Sequence, residues 1–114
     1  MSTAQANYDG NYPQKGCPKG KYRKTTTMVG SFRGNAWGLK DMAGNVWEWT
    51  YDRYQSSYRG LPSLDPVGPI PGSSRVCRGG GWYDDGWRMR AASRGSVLLG
   101  IRSLYVGFRL LRVD

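Results

Sequence analysis

The sequence predicts a mostly irregular α+β domain, with short twisted strands joined by long loops. Three observations point there. Gly (17) and Pro (6) make up about a fifth of the 114 residues, too many backbone breakers for a helical bundle. No long window repeats its apolar residues at a helical spacing, whereas a few short runs alternate as strands do. Eight Tyr and five Trp supply large side chains able to fill a core where regular elements are few. The length fits one domain spanning residues 1–114, able to bury roughly 60–70% of its unfolded surface.

Residues 1–35 are polar, with Gly, Pro, Lys and a Thr25-Thr26-Thr27 run, and are expected to lie extended on the rest. Residues 36–82 hold the densest patterning. Within them, residues 46–51 alternate and are aromatic-rich, so they read as a strand. Residues 55–74 contain Leu61-Pro62, Asp65-Pro66, Gly68-Pro69 and Pro71-Gly72, a string of turns. Residues 75–79 form a short strand entering the triplet Gly79-Gly80-Gly81, whose glycines allow positive φ or close packing. Residues 83–104 show no period. Residues 105–113 give the clearest strand, closing the chain. No internal repeat occurs.

The composition excludes much chemistry. There is no histidine, hence no Ser-His-Asp triad, no His-activated cysteine and no histidine-bound metal. Two cysteines, Cys17 and Cys77, are too few for a disulfide framework or a tetrahedral metal site; they either pair with each other or stand as separate thiols. No stretch approaches the roughly 20 apolar residues that cross a bilayer. The opening residues lack the basic end, apolar core and cleavage site of a signal peptide. A soluble chain, cytoplasmic by default, is expected, with display on a phage or cell surface left open. The net charge is +9, and eight arginines lie between Arg75 and Arg112. Arginine among Trp and Tyr suits a nucleic-acid platform. It equally suits arginines that cover apolar surface and pair with Asp41, Glu48, Asp52 and Asp65. Either way, acidic partners are favoured.

Residues 35–49 read Asn-Ala-Trp-Gly-Leu-Lys-Asp-Met-Ala-Gly-Asn-Val-Trp-Glu-Trp. This resembles the N-x-x-G-L-x-D-M-x-G-N-V-W-E-W signature of the formylglycine-generating enzyme (sulfatase-modifying factor) family. Arg75-Val76-Cys77-Arg78-Gly79-Gly80-Gly81-Trp82 and Gly107-Phe108-Arg109 are similar to that family's R-V-x-R-G-G-S-W and G-F-R blocks, with Gly81 in place of serine. Ala6-Asn7-Tyr8-Asp9-Gly10 resembles the opening of bacterial members. The resemblance implies a C-type-lectin-like fold of twisted sheets with little regular structure. Family domains are usually about twice this length, so the chain is similar to a minimal version or to a C-terminal half.

The resemblance also implies a metal. Asp41 and Glu48 are hard oxygen donors flanking Gly44-Asn45, and calcium favours carboxylates with backbone carbonyls. Carried over from the family, the ligands are the Asp41 side chain, the Gly44 and Val46 carbonyls and the Glu48 side chain. The alternative is a turn capped by those carboxylates alone. A second family calcium site begins at Asn7 and Tyr8, but its later ligands fall at the cations Lys21 to Arg23, so it is expected to be lost or changed. The family's oxidases act through a copper-binding cysteine pair between the G-G-S-W and G-F-R blocks. That interval holds no cysteine here, so no copper and no enzyme activity are expected. A fragment of such an oxidase is the first alternative, and a basic nucleic-acid-binding module is the second.

Other relatives of this fold are variable proteins of diversity-generating retroelements, which mutate adenines so that template asparagine codons become many residues. Residues 83–105 resemble such a stretch after mutation. Tyr83, Asp84, Asp85, Ser93, Gly95, Ser103, Leu104 and Tyr105 are each reachable from an asparagine codon. With Trp87, they mix aromatic anchors and adaptable polar groups as antigen-binding loops do. Val97-Leu98-Leu99 and Ile101 form a contact patch if exposed and core if not. The expectation is a non-catalytic domain that binds a protein or other macromolecule of acidic character through residues 83–105, with nucleic acid disfavoured.

Overall fold

The computed structural model describes residues 1–70 and 72–112. Four short strands form a single sheet: β1 (Trp47–Arg53), β2 (Ser74–Arg78), β3 (Gly95–Leu98) and β4 (Val106–Gly107). Their order across the sheet is β3-β2-β1-β4. β1 and β2 are antiparallel, and so are β2 and β3. β4 runs parallel to β1, pairing Trp47 with Val106 and Glu48 with Gly107. The register of β1 slips between Trp49 and Arg53, a bulge that bends the strand. Just beyond it the Arg53 N–H donates to the Val67 carbonyl, tying the turn-rich 54–73 connection back to the sheet.

The strands differ from their expected bounds in physically intelligible ways. β1 and β2 fall within about two residues of the alternating runs. β3 shows no period in the sequence because its four residues alternate between half-buried and exposed without a matching change in polarity. The expected closing strand shrinks to Val106–Gly107. Phe108, Leu110 and Leu111 are exposed, so their apolar character marks surface and not sheet; Val113 lies outside the described residues, as does Pro71. Cys17 and Cys77 are both free thiols.

The largest departure concerns the start of the opening segment, where residues 6–10 are buried while most of residues 11–35 lie at the surface. Ala6, Asn7 and Tyr8 are among the most buried residues, and Ala6 and Tyr8 pack with Met89 as the core, flanked by Ala43. Polar composition hid this, because Asn7 and Asp9 enter the interior with their backbone groups hydrogen-bonded across to other segments. The Asp9 N–H donates to Asp84 O at 2.8 Å, and Asn7 O accepts from Asn45 N–H at 2.8 Å. Trp47 is buried, Trp49 and Trp82 are half-buried, and Trp37 and Trp87 are exposed, so only part of the expected tryptophan core is buried.

Asn45 joins these pieces. It holds φ at +71°, a conformation asparagine tolerates better than most residues. Its side-chain oxygen accepts from Asn7 Nδ2 at 3.2 Å and from Thr27 N–H at 2.8 Å. Its carbonyl accepts from Trp82 N–H at 2.8 Å. The neighbouring Gly44 has φ +78°, and a Cβ there falls 2.4 Å from Asn7 O; Gly38 has a similar φ of +75° but open space around it. Gly38→Ala is therefore expected to cost only the left-handed backbone strain, about 1–2 kcal/mol. Gly44→Ala must also break the bridge to Asn7 and is expected to cost more than about 3 kcal/mol. Urea unfolding of the two variants checks the contrast.

Candidate functional site

Two concavities lie beside the sheet, one at each predicted site. The first is an open cavity of about 440 Å³. Trp47 and Cys77 form its floor, β3 with Ile101 forms one wall, and Tyr83 and Tyr105 form another. The aromatic wall is a cluster. The Tyr83 and Tyr105 rings lie 4.2 Å apart between centroids, and Trp82 meets them at 5.7 and 5.6 Å. Tyr22, from the opening segment, stacks on Trp82 at 6.3 Å. Edge and tilted contacts of this kind add roughly 0.5–1.5 kcal/mol beyond burial, so the exposed tyrosines are held in place without a ligand.

The cavity gathers Tyr83, Asp84, Gly95, Ser103 and Tyr105 among the nine residues read from sequence as ligand-binding. The other four lie elsewhere. Asp85 caps the short 3-10 turn Gly86–Met89, accepting from the N–H groups of Trp87 and Arg88. Trp87 is 60% exposed, with the Arg90 guanidinium 3.8 Å above its ring. Leu104 is exposed. Ser93 is buried and donates to Trp87 O at 3.1 Å, so its side chain faces the interior. Gly95 has its own constraint, since a Cβ there falls 2.5 Å from Cys77 Sγ and 3.2 Å from the Trp47 ring. No side chain fits at position 95 unless the floor moves.

Asp84 is half a scaffold residue. Its Oδ2 accepts from Trp47 Nε1 at 2.7 Å and from Gly81 N–H at 2.8 Å. Burial raises its pKa, opposed by those two hydrogen bonds. Tyr83 is also pushed up, by burial and then by the nearby Asp84 charge. Beneath them, burial and the same carboxylate push the Cys77 thiol up to about 11. Sequence reasoning missed the floor, which depends on the strand register that sets Cys77 between Trp49 and Gly95. Leu98, Leu99 and Ile101 are about half exposed, so this run lies at the surface.

The second concavity, about 330 Å³, is lined by Asp41, Gly44, Val46, Glu48, Phe108 and Arg109 among others. All four residues read as calcium ligands therefore border one space. Asp41 Oδ2 accepts from Gly30 N–H at 2.6 Å, while Asp41 Oδ1 is buried without a partner. An orphaned carboxylate oxygen suits a hard cation. Glu48 is gripped by Arg109, with contacts of 2.7 and 2.9 Å, and this pairing raises the arginine's pKa. Each carboxylate oxygen keeps a further lone pair, while the Arg109 guanidinium also donates to the Lys40 and Asp41 carbonyls at 3.0 and 3.2 Å.

Around the second family site, Asn7 Oδ1 is likewise buried and unpartnered. Arg23 instead donates to Thr3 O at 2.8 Å and lies over Phe32, bringing a cation where the family brings ligands. Several other arginines are engaged with aromatic rings: Arg75 with Tyr51, and Arg94 with Tyr54 and Tyr58. No helix among the described residues is long and apolar enough to cross a membrane.

A loop-dominated, short-stranded sheet that carries an Asp41–Glu48 turn beside an aromatic concavity defines a C-type-lectin-like domain. The chain belongs to the sulfatase-modifying factor enzyme 1-like domain family, whose profile matches residues 2–113. It is 42% identical over 89 residues to the formylglycine-generating enzyme of Streptomyces coelicolor, covering 75% of this chain and 28% of that protein. It is 37% identical over 91 residues to the serine/threonine-protein kinase pkn1 of Chlamydia caviae, covering 77% of this chain and 15% of that protein. Among solved structures, Treponema denticola variable protein 1 superposes with TM-score 0.75 at 30% identity, over 93% of this chain and 35% of that one. PvdO from Pseudomonas aeruginosa gives the same score and identity, over 93% and 38%. The chain thus spans well under half the length of these relatives.

Asp84→Ala strands the Trp47 indole N–H and is expected to cost about 1–3 kcal/mol, whereas Asp84→Asn keeps an acceptor and costs far less; urea unfolding measures both. Cys77 holds its proton in the folded chain when the unfolded chain has lost it. Its contribution to stability is therefore intact below pH 9 and is lost as pH rises from 9.0 towards about 11. Subtracting the profile of Cys77→Ala isolates that loss. At pH 8 a thiol reagent should titrate Cys17 alone, with the second equivalent reacting only after denaturation.

Proposed function

We propose that this chain is a non-catalytic ligand-binding domain that acts as the variable proteins of this fold do, presenting residues 83–105 to a protein ligand of acidic character. One observation carries the reading: an open concavity in which Tyr83, Asp84, Ser103 and Tyr105 converge around preset tyrosine rings. Rigid aromatic anchors beside adaptable polar groups are what a changeable binding surface requires, because ligand contacts then cost little ordering entropy. The similarity to Treponema denticola variable protein 1 supports it. Arginines already stacked on rings favour a protein ligand over nucleic acid.

The rival is a relative of the formylglycine-generating oxidases, which share more sequence with this chain. The thiol inventory speaks against it. Copper chemistry of that kind needs two thiolates; Cys77 is held protonated, and Cys17 sits apart beside the Met1 amine. Calcium completes the proposal as a structural ion held by Asp41, Gly44, Val46 and Glu48. It would stiffen the turn that carries Asn45 and the start of β1.

Two measurements test this. Sequencing the locus across clones of its source should show changes concentrated at Tyr83, Asp85, Ser103, Leu104 and Tyr105, with position 95 invariant because no side chain fits there. An invariant stretch, or formylglycine formed in a sulfatase peptide by the copper-supplemented chain, overturns the reading. For the metal, saturating calcium at about 100 times its Kd should raise stability by about 2.7 kcal/mol over the chelated protein. Asp41→Asn should remove most of that gain in a thermal melt.

A further inference from the structure

Pairing in the sheet stops at β3, an edge strand. Its register, from Ser74 with Leu98 to Cys77 with Gly95, fixes which backbone groups face outwards. The Leu99 N–H donates to Ser73 O at 3.0 Å. The two-residue period of an antiparallel ladder then turns the backbone groups of Gly95 and Val97 towards β2 and those of Ser96 and Leu98 away. The same parity shows on β2, where Ser74 O accepts from Tyr54 on the far side. Leu98 O takes a long 3.4 Å bond from Ile101. The Ser96 N–H and C=O and the Leu98 N–H meet no backbone partner among the described residues.

Natural edges are usually blunted by lysine, proline or a bulge. Gly95-Ser96-Val97-Leu98 carries none of these, and all four residues also border the aromatic cavity.

We propose that β3 receives an extended acidic segment of a partner protein as an added strand, with an apolar side chain of that segment seated against Tyr105. The proposal rests on the ligand-binding reading of the same cavity and names its ligand class. Main-chain bonds to Ser96 and Leu98 supply affinity, and alternate side chains of the added strand enter the cavity. Charge selects the occupant. The chain carries +9; on the cavity wall Arg88 feels the Asp84 carboxylate without forming an ion pair among the described residues. A second copy of this chain would set +9 against +9, whereas an acidic segment is drawn to the chain's positive charge.

The test pans a phage library of random decapeptides against the whole chain. The expected winners are net negative with alternating apolar residues, and bind Ser96→Pro at least tenfold more weakly. That substitution deletes an outward N–H and leaves the β2 ladder intact. In the unsubstituted chain, exchange of the Ser96 and Leu98 amides should slow at least tenfold on binding, which decides the matter even if Ser96→Pro fails to fold. Winners that leave both amides unprotected overturn strand addition, as does a selection that enriches basic peptides or none. If such winners still lose affinity on Tyr105→Ala, the ligand face survives without the added strand; if they do not, both readings fall. A dimer that protects the same amides in the chain alone overturns the acidic occupant.

Discussion

Asparagine 45 is the constraint on which the rest of the structure depends. It sits in a left-handed turn and bonds the opening segment, the threonine run and the residue that begins the aromatic cluster. Three stretches far apart in the chain meet at this one side chain and its peptide groups. With few regular elements, the domain has no long helix or wide sheet to average over errors. Its geometry is set at a few such junctions, where side-chain and backbone hydrogen bonds join distant segments. A buried polar network of this type specifies one arrangement because every alternative leaves donors stranded.

The two concavities inherit their shape from that junction by different routes. On one side, Gly44 and Asn45 lead directly into β1, so the Asp41 and Glu48 carboxylates straddle a turn whose φ angles are fixed. On the other, Trp82 hangs from the Asn45 carbonyl and presents its ring to Tyr83 and Tyr105. Asp84 then closes the loop by holding both the Trp47 indole and the Gly81 amide. It sits in the binding surface and in the scaffold at once, as an adaptable surface and a rigid floor require where they share a wall.

Much of this was legible in the sequence. The aromatic alternation before Tyr51 gave β1, the glycine triplet gave the turn after β2, and the paired carboxylates around Gly44-Asn45 marked the second concavity. What escaped was determined by neighbours and not by local pattern. Ala6 and Tyr8 are core because Met89 and Ala43 enclose them, which a polar context conceals. β3 is a strand because β2 offers an unpaired side, although Gly95-Ser96-Val97-Leu98 has no clear period. Phe108 and the leucines after it looked like a strand, yet pairing stops at Gly107 although β1 itself runs on to Arg53. Ser93 and Gly95 looked interchangeable with their neighbours, and only their packing shows that one faces inwards and the other admits no side chain.

The parallel pairing of β1 with β4 has a consequence for how the chain acquires its structure. Trp47 and Val106 lie at opposite ends of the second half of the sequence, and Asn7 must find Gly44 and Asp9 must find Asp84. Closing such loops costs entropy before any contact repays it, so a fold of this connectivity is slow to form. On a ribosome the sheet cannot be completed until β4 has emerged, because β4 supplies the strand beside β1 that comes latest in sequence. Until then the side of β1 that Val106 and Gly107 cover stands unpaired, an open edge of the kind that invites association before folding is complete.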